Sequence, residues 1–230
     1  MRNESLSVRL AQILEQRCLL LFWALIALLV ALPFLSETPH GQVILAVVNV
    51  IVLLTAVAAV GRTWLSFVIA VILILPALVF RFLALESGQP GHLALTWGFN
   101  AVFYIFILTN LLQYVFRRDL MSRDKLYGAV AAYILIAVLW ANLHGVTQYF
   151  HPGAYAFGGT AQAFGMPELI YFSFTTLATV GYGDITPALI QSRYLTVLEM
   201  IVGVMFVAIL IARLTGVYPI VDKPIVDKKS

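Results

Sequence analysis

Six consecutive residues, Thr179-Val180-Gly181-Tyr182-Gly183-Asp184, carry the most specific chemistry in this sequence, and most of that chemistry lies in the backbone. The stretch has too many glycines for a helix and too few polar side chains for an active site. Gly181 and Gly183 alternate with Val180 and Tyr182. Glycine visits positive φ readily, so the chain can turn successive carbonyls to one side while side chains point away. A row of such oxygens, with the Thr179 hydroxyl at one end, suits replacement of the water shell of a desolvated cation. Elsewhere the sequence offers no nucleophile–base pair and no phosphate loop. His40, His92, His144 and His151 lie scattered near expected membrane edges without metal-ligand spacing. Neither an enzyme nor a bound cofactor is expected. Cys18 is the sole cysteine, so no intrachain disulfide forms.

The elements that hold this stretch follow from composition. The chain has 230 residues, 62% hydrophobic and 11% charged, with a mean hydropathy of +0.96. Soluble domains carry roughly 25% charged residues, so the sequence is that of an integral membrane protein. Apolar runs at about 18–35, 42–60, 64–85, 93–116, 126–148 and 194–217 each reach the ~20 residues that a spanning helix needs. Arg2, Arg9 and Arg17 precede the first run in the manner of a signal peptide, but no small-residue cleavage site ends it, and an uncleaved span is expected. The run at 166–178 is too short to span. It opens Met166-Pro167-Glu168, with proline in a first helical turn and a carboxylate at the positive end. That predicts a short re-entrant helix ending at Ala178. Irregular backbone at membrane depth is tolerated only where it is buried in protein or lines an aqueous path, and 179–184 falls in that position. Gly153 to Gly165 reads as an irregular loop.

Lysine and arginine set the expected orientation. With the N-terminus in the cytoplasm, Arg2, Arg9, Arg17, Arg62, Arg117, Arg118, Arg123, Lys125, Arg213, Lys223, Lys228 and Lys229 lie inside, and only Arg81 and Arg193 outside. This bias places both termini in the cytoplasm of a cell-membrane protein. The net charge of +3 thus reports topology; lipids are the expected surroundings, with no nucleic-acid partner. The charged linker at 117–125 divides the chain. The expected parts are a cytoplasmic N-terminus (1–17), a four-helix domain (18–116), the linker, a helix–loop–helix domain (126–217) and a cytoplasmic tail (218–230) too short for a regulatory domain.

The segment Thr179 to Asp184 resembles the selectivity filter of tetrameric potassium channels, and Tyr171 to Ala178 is similar to that family's pore helix. The likeness covers roughly 126–217. It implies an all-α fold of six transmembrane helices, with the re-entrant pore helix and filter loop between the fifth and sixth. By that resemblance the carbonyls of Thr179, Val180, Gly181 and Tyr182, with Gly183 completing the turn, form stacked sites for permeant K⁺. One chain supplies one strand of the ring, so the resemblance implies a homotetramer. Two other readings stay open: a weakly selective cation channel, and a receptor or structural protein with an incidental pore-like loop.

Several residues are expected to support the filter. Many relatives have paired aromatics in the pore helix; here Tyr171 can donate to Asp184, whereas Phe172 can donate nothing. Thr175 stands where some relatives have a glutamate, which removes a carboxylate pair with Asp184. Glu199 lies mid-helix, where an ionised carboxylate costs roughly 2.5–3.5 kcal/mol on insertion scales. It is expected either to bond pore-helix hydroxyls such as Thr175 or Thr176, or to sit neutral in a protein-lined gap. Gly203, nineteen residues after Asp184, matches the family's inner-helix hinge, with close helix packing the alternative. Val204, Val207, Ile211 and Thr215 share one helical face and are expected to line an apolar cavity, or to form a core stripe. The fourth run, Trp97 to Phe116, contains no arginine or lysine, so no voltage-sensing arginine array is expected. Arg81 is expected to snorkel outward, and Asn49, Asn100 and Asn110 to join helices by hydrogen bonds.

Overall fold

The computed structural model of the chain describes residues 17–35, 41–60, 64–117 and 122–216. Most of the expected terminal segments, linker residues 118–121, and His40, Arg2, Arg9, Arg62, Arg118, Lys223, Lys228 and Lys229 lie outside them. Seven helices follow in order: α1 (Arg17–Leu35), α2 (Gly41–Val60), α3 (Trp64–Ser87), α4 (Pro90–Val115), α5 (Arg123–Phe150), α6 (Met166–Leu177) and α7 (Ile190–Leu214). Among the described residues, α1, α3, α4, α5 and α7 are long and apolar enough to cross a membrane. In α2 the apolar stretch Val47–Ala59 is shorter.

Local sequence explains the ends. Pro90 starts α4 and Pro167 lies in the first turn of α6, where a missing N–H costs nothing. Ser122 caps α5, its hydroxyl accepting from Lys125 N at 3.3 Å. Helix α5 is the hub, packing on α1, α4, α6 and α7. Its buried face is built from small residues, including Gly128, Ala129, Ala132, Ala137, Ala141 and Gly145. Small side chains let neighbouring helices approach closely, which is the main source of packing where lipid is as apolar as leucine. At Gly145 a Cβ would stand 2.7 Å from the Trp97 ring, and at Gly128 3.2 Å from Cys18 Sγ.

The linker charge turns out to be a clasp. Asp124 accepts from Cys18 N at 3.0 Å and from the Tyr114 hydroxyl at 2.9 Å, joining the start of α1 and the end of α4 to the start of α5. Arg213 Nη2 donates to Arg117 O at 2.6 Å, tying the end of α7 to the same corner.

Three expectations are corrected here. Gly153–Gly165 is not irregular throughout: β1 (Tyr155–Phe157) and β2 (Thr160–Ala161) form a hairpin, and β3 (Ile185–Pro187) joins β1 antiparallel in the order β2-β1-β3. Gly158 and Gly159, at φ of 55° and 85°, supply the tight turn that joins a right-twisted hairpin. The fold is therefore all-helical apart from a small sheet, whose Ala156↔Thr186 and Phe157↔Ile185 pairs fasten the loop before α6 to the strand after Asp184. Arg81 does not simply point away from the protein; it lines a cavity between helices, as do Asn49 and Asn100. Asn110 joins no helices, because its amide donates to Phe106 O of its own helix at 2.8 Å.

The contact at Gly145 yields a prediction. Gly145→Val drives a side chain into Trp97 and should lower stability by about 1–3 kcal/mol, the usual cost of overpacking. Thermal unfolding of the purified protein measures it, and an unchanged transition would show that α4 and α5 do not pack this closely.

Candidate functional site

The site begins where α6 ends. Ala178 N donates to Phe174 O at 3.0 Å and Thr179 N to Thr176 O at 2.9 Å, closing the last turn. The next two amides double back: Val180 N and Gly181 N both donate to Thr175 O, at 2.8 and 3.1 Å. Thr179, Gly181 and Gly183 have φ of 57°, 55° and 80°, while Val180 and Tyr182 do not share the left-handed region. Alternating handedness along an extended chain turns successive carbonyls to one side. Among the described residues, no hydrogen bond engages the carbonyls of Thr179, Val180, Gly181 or Tyr182. Thr179 is the lone non-glycine residue described at positive φ, a strained position for a β-branched side chain. A Cβ built on Gly181 or Gly183 meets nothing within 4 Å, so the requirement for glycine is conformational rather than spatial.

Side chains brace this ribbon from behind. The Tyr171 hydroxyl donates to Asp184 Oδ2 at 2.8 Å, and Ile185 N donates to Oδ1 at 2.9 Å. The tyrosine hydrogen bond is the main reason that the Asp184 carboxyl is held below the ordinary carboxylate range, outweighing its partial desolvation. The Tyr182 ring stacks on Tyr171, centroids 6.3 Å apart and planes 3° from parallel. Phe172 donates no hydrogen bond but is buried edge-on between His144 and Tyr155, at 5.1 and 5.5 Å. Thr175 acts through its carbonyl, since its hydroxyl is turned back to Phe172 O at 2.9 Å.

The expected partners of Glu199 are not its partners. Its carboxylate reaches neither Thr175 nor Thr176; Oε1 bonds the Ser173 hydroxyl, and Oε2 lies 2.8 Å from His144 Nε2. Ser173 rather than a threonine meets Glu199, and the Thr175 hydroxyl is turned back along its own helix. His144 Nδ1 in turn lies 2.6 Å from the Tyr155 hydroxyl. His144 is fully buried. Burial also pushes the Tyr155 phenol well above its ordinary range, so it remains a donor. The relay Tyr155–His144–Glu199–Ser173 joins β1, α5, α7 and α6. Ser173 has one hydroxyl proton for two acceptors, Ala137 O at 2.7 Å and Glu199, so both are served only when the carboxyl brings a proton of its own.

Gly203 has a packing role in this structure. Helix α7 runs unbroken through it, and a Cβ there would collide with Leu177 O, the last carbonyl of α6. It lies with Ser192, Thr196, Glu199 and Phe206 on the buried face of α7. Val204, Val207, Ile211 and Thr215 are all exposed, so they form no core stripe within one chain. Sequence reasoning missed Ser173, His144 and Tyr155, together with Gln148, whose amide brackets Phe164 through bonds of 2.7 and 2.9 Å and fixes the approach to α6. A histidine and a glutamate in facing apolar helices were the available signal.

A family model described as an ion channel matches residues 131–218. That segment is similar to an ion-channel domain. "Voltage-gated potassium channel Kch" of Escherichia coli (strain K12) is 27% identical over 164 residues, which cover 70% of this chain and 34% of that protein. The chain thus spans about a third of the length of the curated relative it matches. No solved structure gives a significant match. Both matches are to channels rather than enzymes, and they support the likeness to potassium channels read from 179–184. The matched segment includes α6, the carbonyl ribbon, the Glu199 relay and α7, and excludes α1 to α4.

Two predictions follow from the bracing. Glu199→Leu leaves His144 Nε2 buried without its partner, at a cost of about 1–3 kcal/mol, while Ser173 keeps Ala137 O as acceptor. Glu199→Gln, which keeps an acceptor and a donor, should lose less. A Leu variant melting with the wild type would remove the relay from the stability of the domain. For Asp184 the folded carboxyl is depressed, so its contribution is complete above the ordinary carboxylate range and is lost as pH falls through the lowered value. Tyr171→Phe removes the main cause, and acid loss should then begin at higher pH. Carbon-detected titration of the Asp184 carboxyl reads this directly, and an unmoved midpoint would show that Tyr171 does not set it.

Proposed function

We propose that four copies of this chain form a potassium-selective pore across a cell membrane. One observation carries the reading: the amides of Val180 and Gly181 are tied to Thr175 O while the carbonyls of Thr179 to Tyr182 are unengaged, with left-handed φ at Thr179, Gly181 and Gly183. Four such ribbons around an axis give rings of oxygens that stand in for the water around K⁺, with Gly183 ending the row and the Thr179 hydroxyl opening it. Whether ring size or carbonyl field strength does more to reject Na⁺ is debated for such filters in general. In this reading K⁺ is the cargo, and several adjacent sites of moderate affinity let one ion displace the next.

The tetramer is supported by the single ribbon per chain and by the wide exposed apolar face of α7, which one chain leaves uncovered. Val180 and Tyr182 are likewise exposed on one chain and would meet a neighbouring copy. Val204, Val207, Ile211 and Thr215 then line the cavity below the filter, where the C-terminal end of α6 favours a cation. Gly203 sets the contact of α7 with α6, and any bend of α7 would act across it.

The proposed topology has six spans, α1 to α5 and α7, with α6 re-entrant and both termini cytoplasmic in a lipid bilayer. Domain boundaries follow the linker at 117–125. The matched relative's name includes voltage gating, but α4, Pro90–Val115, holds no arginine or lysine, so gating by an arginine array in that helix is not proposed.

Potassium flux from proteoliposomes tests the reading. Wild type should pass K⁺ in preference to Na⁺. Gly181→Ala puts a Cβ at φ 55°, a strained geometry for alanine, and should cut flux at least about ten-fold if the strain costs roughly 1–2 kcal/mol per ring member. Equal flux in the two proteins would sink the proposal, and equal K⁺ and Na⁺ permeability would reduce it to a weakly selective pore.

A further inference from the structure

A cavity of about 530 Å³ lies between α1, α2, α3, α4 and α5 and reaches the start of α6, outside the ion-conduction site. That volume is in the range of small-molecule sites, which are mostly apolar with a few placed polar groups. Leucines from four helices, among them Leu28, Leu53, Leu78 and Leu93, form most of its wall. Its polar groups are specific. Arg81 lines it half-buried, and among the described residues no carboxylate pairs with it. Asn142, 2% exposed, lines it too; its amide donates to Val138 O at 2.7 Å, and its Oδ1 is left without a partner. The first turns of α4 and α6 also open here, at Pro90 and at Met166-Pro167, and neither has a side-chain cap. An unpaired cation, the uncapped positive end of α4, which has no carboxylate in its first turn, and one orphan acceptor together describe a ligand with an anionic head that also donates a hydrogen bond.

Depth narrows the class. Arg81 lies six residues before the end of α3 and Asn142 eight before the end of α5. At a rise of about 1.5 Å per residue, both groups sit about 9–12 Å below the helix ends, where head groups meet acyl chains in a bilayer. A free inorganic anion would have to enter a mainly leucine-walled space, with its desolvation poorly compensated. An amphiphile fills both parts.

We infer that the cavity between the first four helices and α5 is a binding site for an anionic phospholipid with a hydroxyl-bearing head, its phosphate on Arg81, its hydroxyl on Asn142 Oδ1 and an acyl chain along the leucines. The ligand class is that of phosphatidylglycerol. The site gives the four-helix unit a lipid-sensing contact with the start of α6, where a charge array for voltage is missing from α4. The inference rests on the proposed crossing of the bilayer by α3 and α4, and not on conduction.

Trp97 lines the cavity and is 6% exposed, so it is shielded from bulk lipid and serves as the reporter. The full chain with Trp23, Trp64 and Trp140 replaced by Phe is reconstituted in phosphatidylcholine vesicles. Brominated acyl chains are placed either on added phosphatidylglycerol or on the phosphatidylcholine at matched mole fraction. Quenching should show roughly five-fold enrichment of phosphatidylglycerol beside Trp97, the factor that one near-surface arginine gives toward anionic lipid. Arg81→Gln should abolish the preference, and Ala84→Phe, which occupies the cavity, should abolish quenching by either lipid. Equal quenching by both lipids in the wild-type background, or a preference unchanged in Arg81→Gln, overturns the site. Displacement of the lipid by soluble glycerol phosphate overturns the phospholipid class in favour of a free anion. Native mass spectrometry of the chain with all its tryptophans tests the site without the reporter substitutions. One retained phosphatidylglycerol per chain, lost in Arg81→Gln, is expected, and none retained overturns the inference. The same protein separates this failure from that of the membrane reading. Trp23 and Trp64, 60% and 80% exposed on α1 and α3, must be quenched by either lipid if these helices lie in the bilayer.

Discussion

Thr175 O receives two amides, from Val180 at 2.8 Å and Gly181 at 3.1 Å, and the geometry of the carbonyl ribbon depends on that double acceptance. A carbonyl in the last turn of a helix has no intrahelical donor and must find one. Here the donors come from the very segment that leaves the helix, so ending α6 and orienting the ribbon are one event. Once its amides point back at α6, the ribbon's carbonyls have to point elsewhere. Left-handed φ at Thr179, Gly181 and Gly183 is the backbone's way of meeting that demand. Two of the three positions are glycine, which adopts it at little cost; Thr179, at φ 57°, bears a real strain.

A ribbon held at one end needs α6 itself to be fixed. Three fastenings supply this. At its start, Gln148 brackets Phe164 with both halves of its amide. Midway, Ser173 is gripped by Glu199 of α7 and by Ala137 O of α5. At its end, the absence of a side chain at Gly203 lets α7 touch Leu177 O. The Tyr155–His144–Glu199 relay then carries the middle fastening to β1, and β1 pairs with β3 immediately after Asp184. Both ends of the ribbon are therefore referred to the same polar core. Buried groups of this kind are costly when any member lacks its partner, and a fully connected network is the arrangement that tolerates them in an apolar interior.

How much of this was legible in the sequence divides by the range of the interaction. The long helices, the proline-led start of α6 and the glycine-punctuated ribbon are local properties and could be read from hydropathy and residue type. The Tyr171–Asp184 hydrogen bond was also accessible, since thirteen residues of helix and ribbon return one to the other. The partner of Glu199 was not. Choosing Ser173 over Thr175 or Thr176 depends on the rotation of α6 about its axis, and His144 is 55 residues from Glu199 on a helix whose placement no local pattern states. The sheet escaped for a related reason: strands of three and two residues are too short for alternation to register, and β3 pairs with β1 across the whole of α6. Gly203 was ambiguous because a hinge and a close approach both ask for glycine, and only the neighbour at the missing Cβ tells them apart.

The same logic of satisfied and unsatisfied polar groups separates the two halves of the chain. In the matched segment each buried polar side chain that braces the ribbon has a named partner, and the carbonyls without partners are those proposed to receive the permeant ion. Where the four-helix half meets α5 the pattern differs. Asp124 clasps the base through Cys18 and Tyr114, while Arg81 of α3 and Asn142 Oδ1 of α5 face a cavity with their capacity unused. A helix without gating arginines has no charge to move, yet the cavity beside it touches the start of α6 through Met166 and Ile170. Whatever occupies that cavity contacts α6 at the opposite end from Thr175.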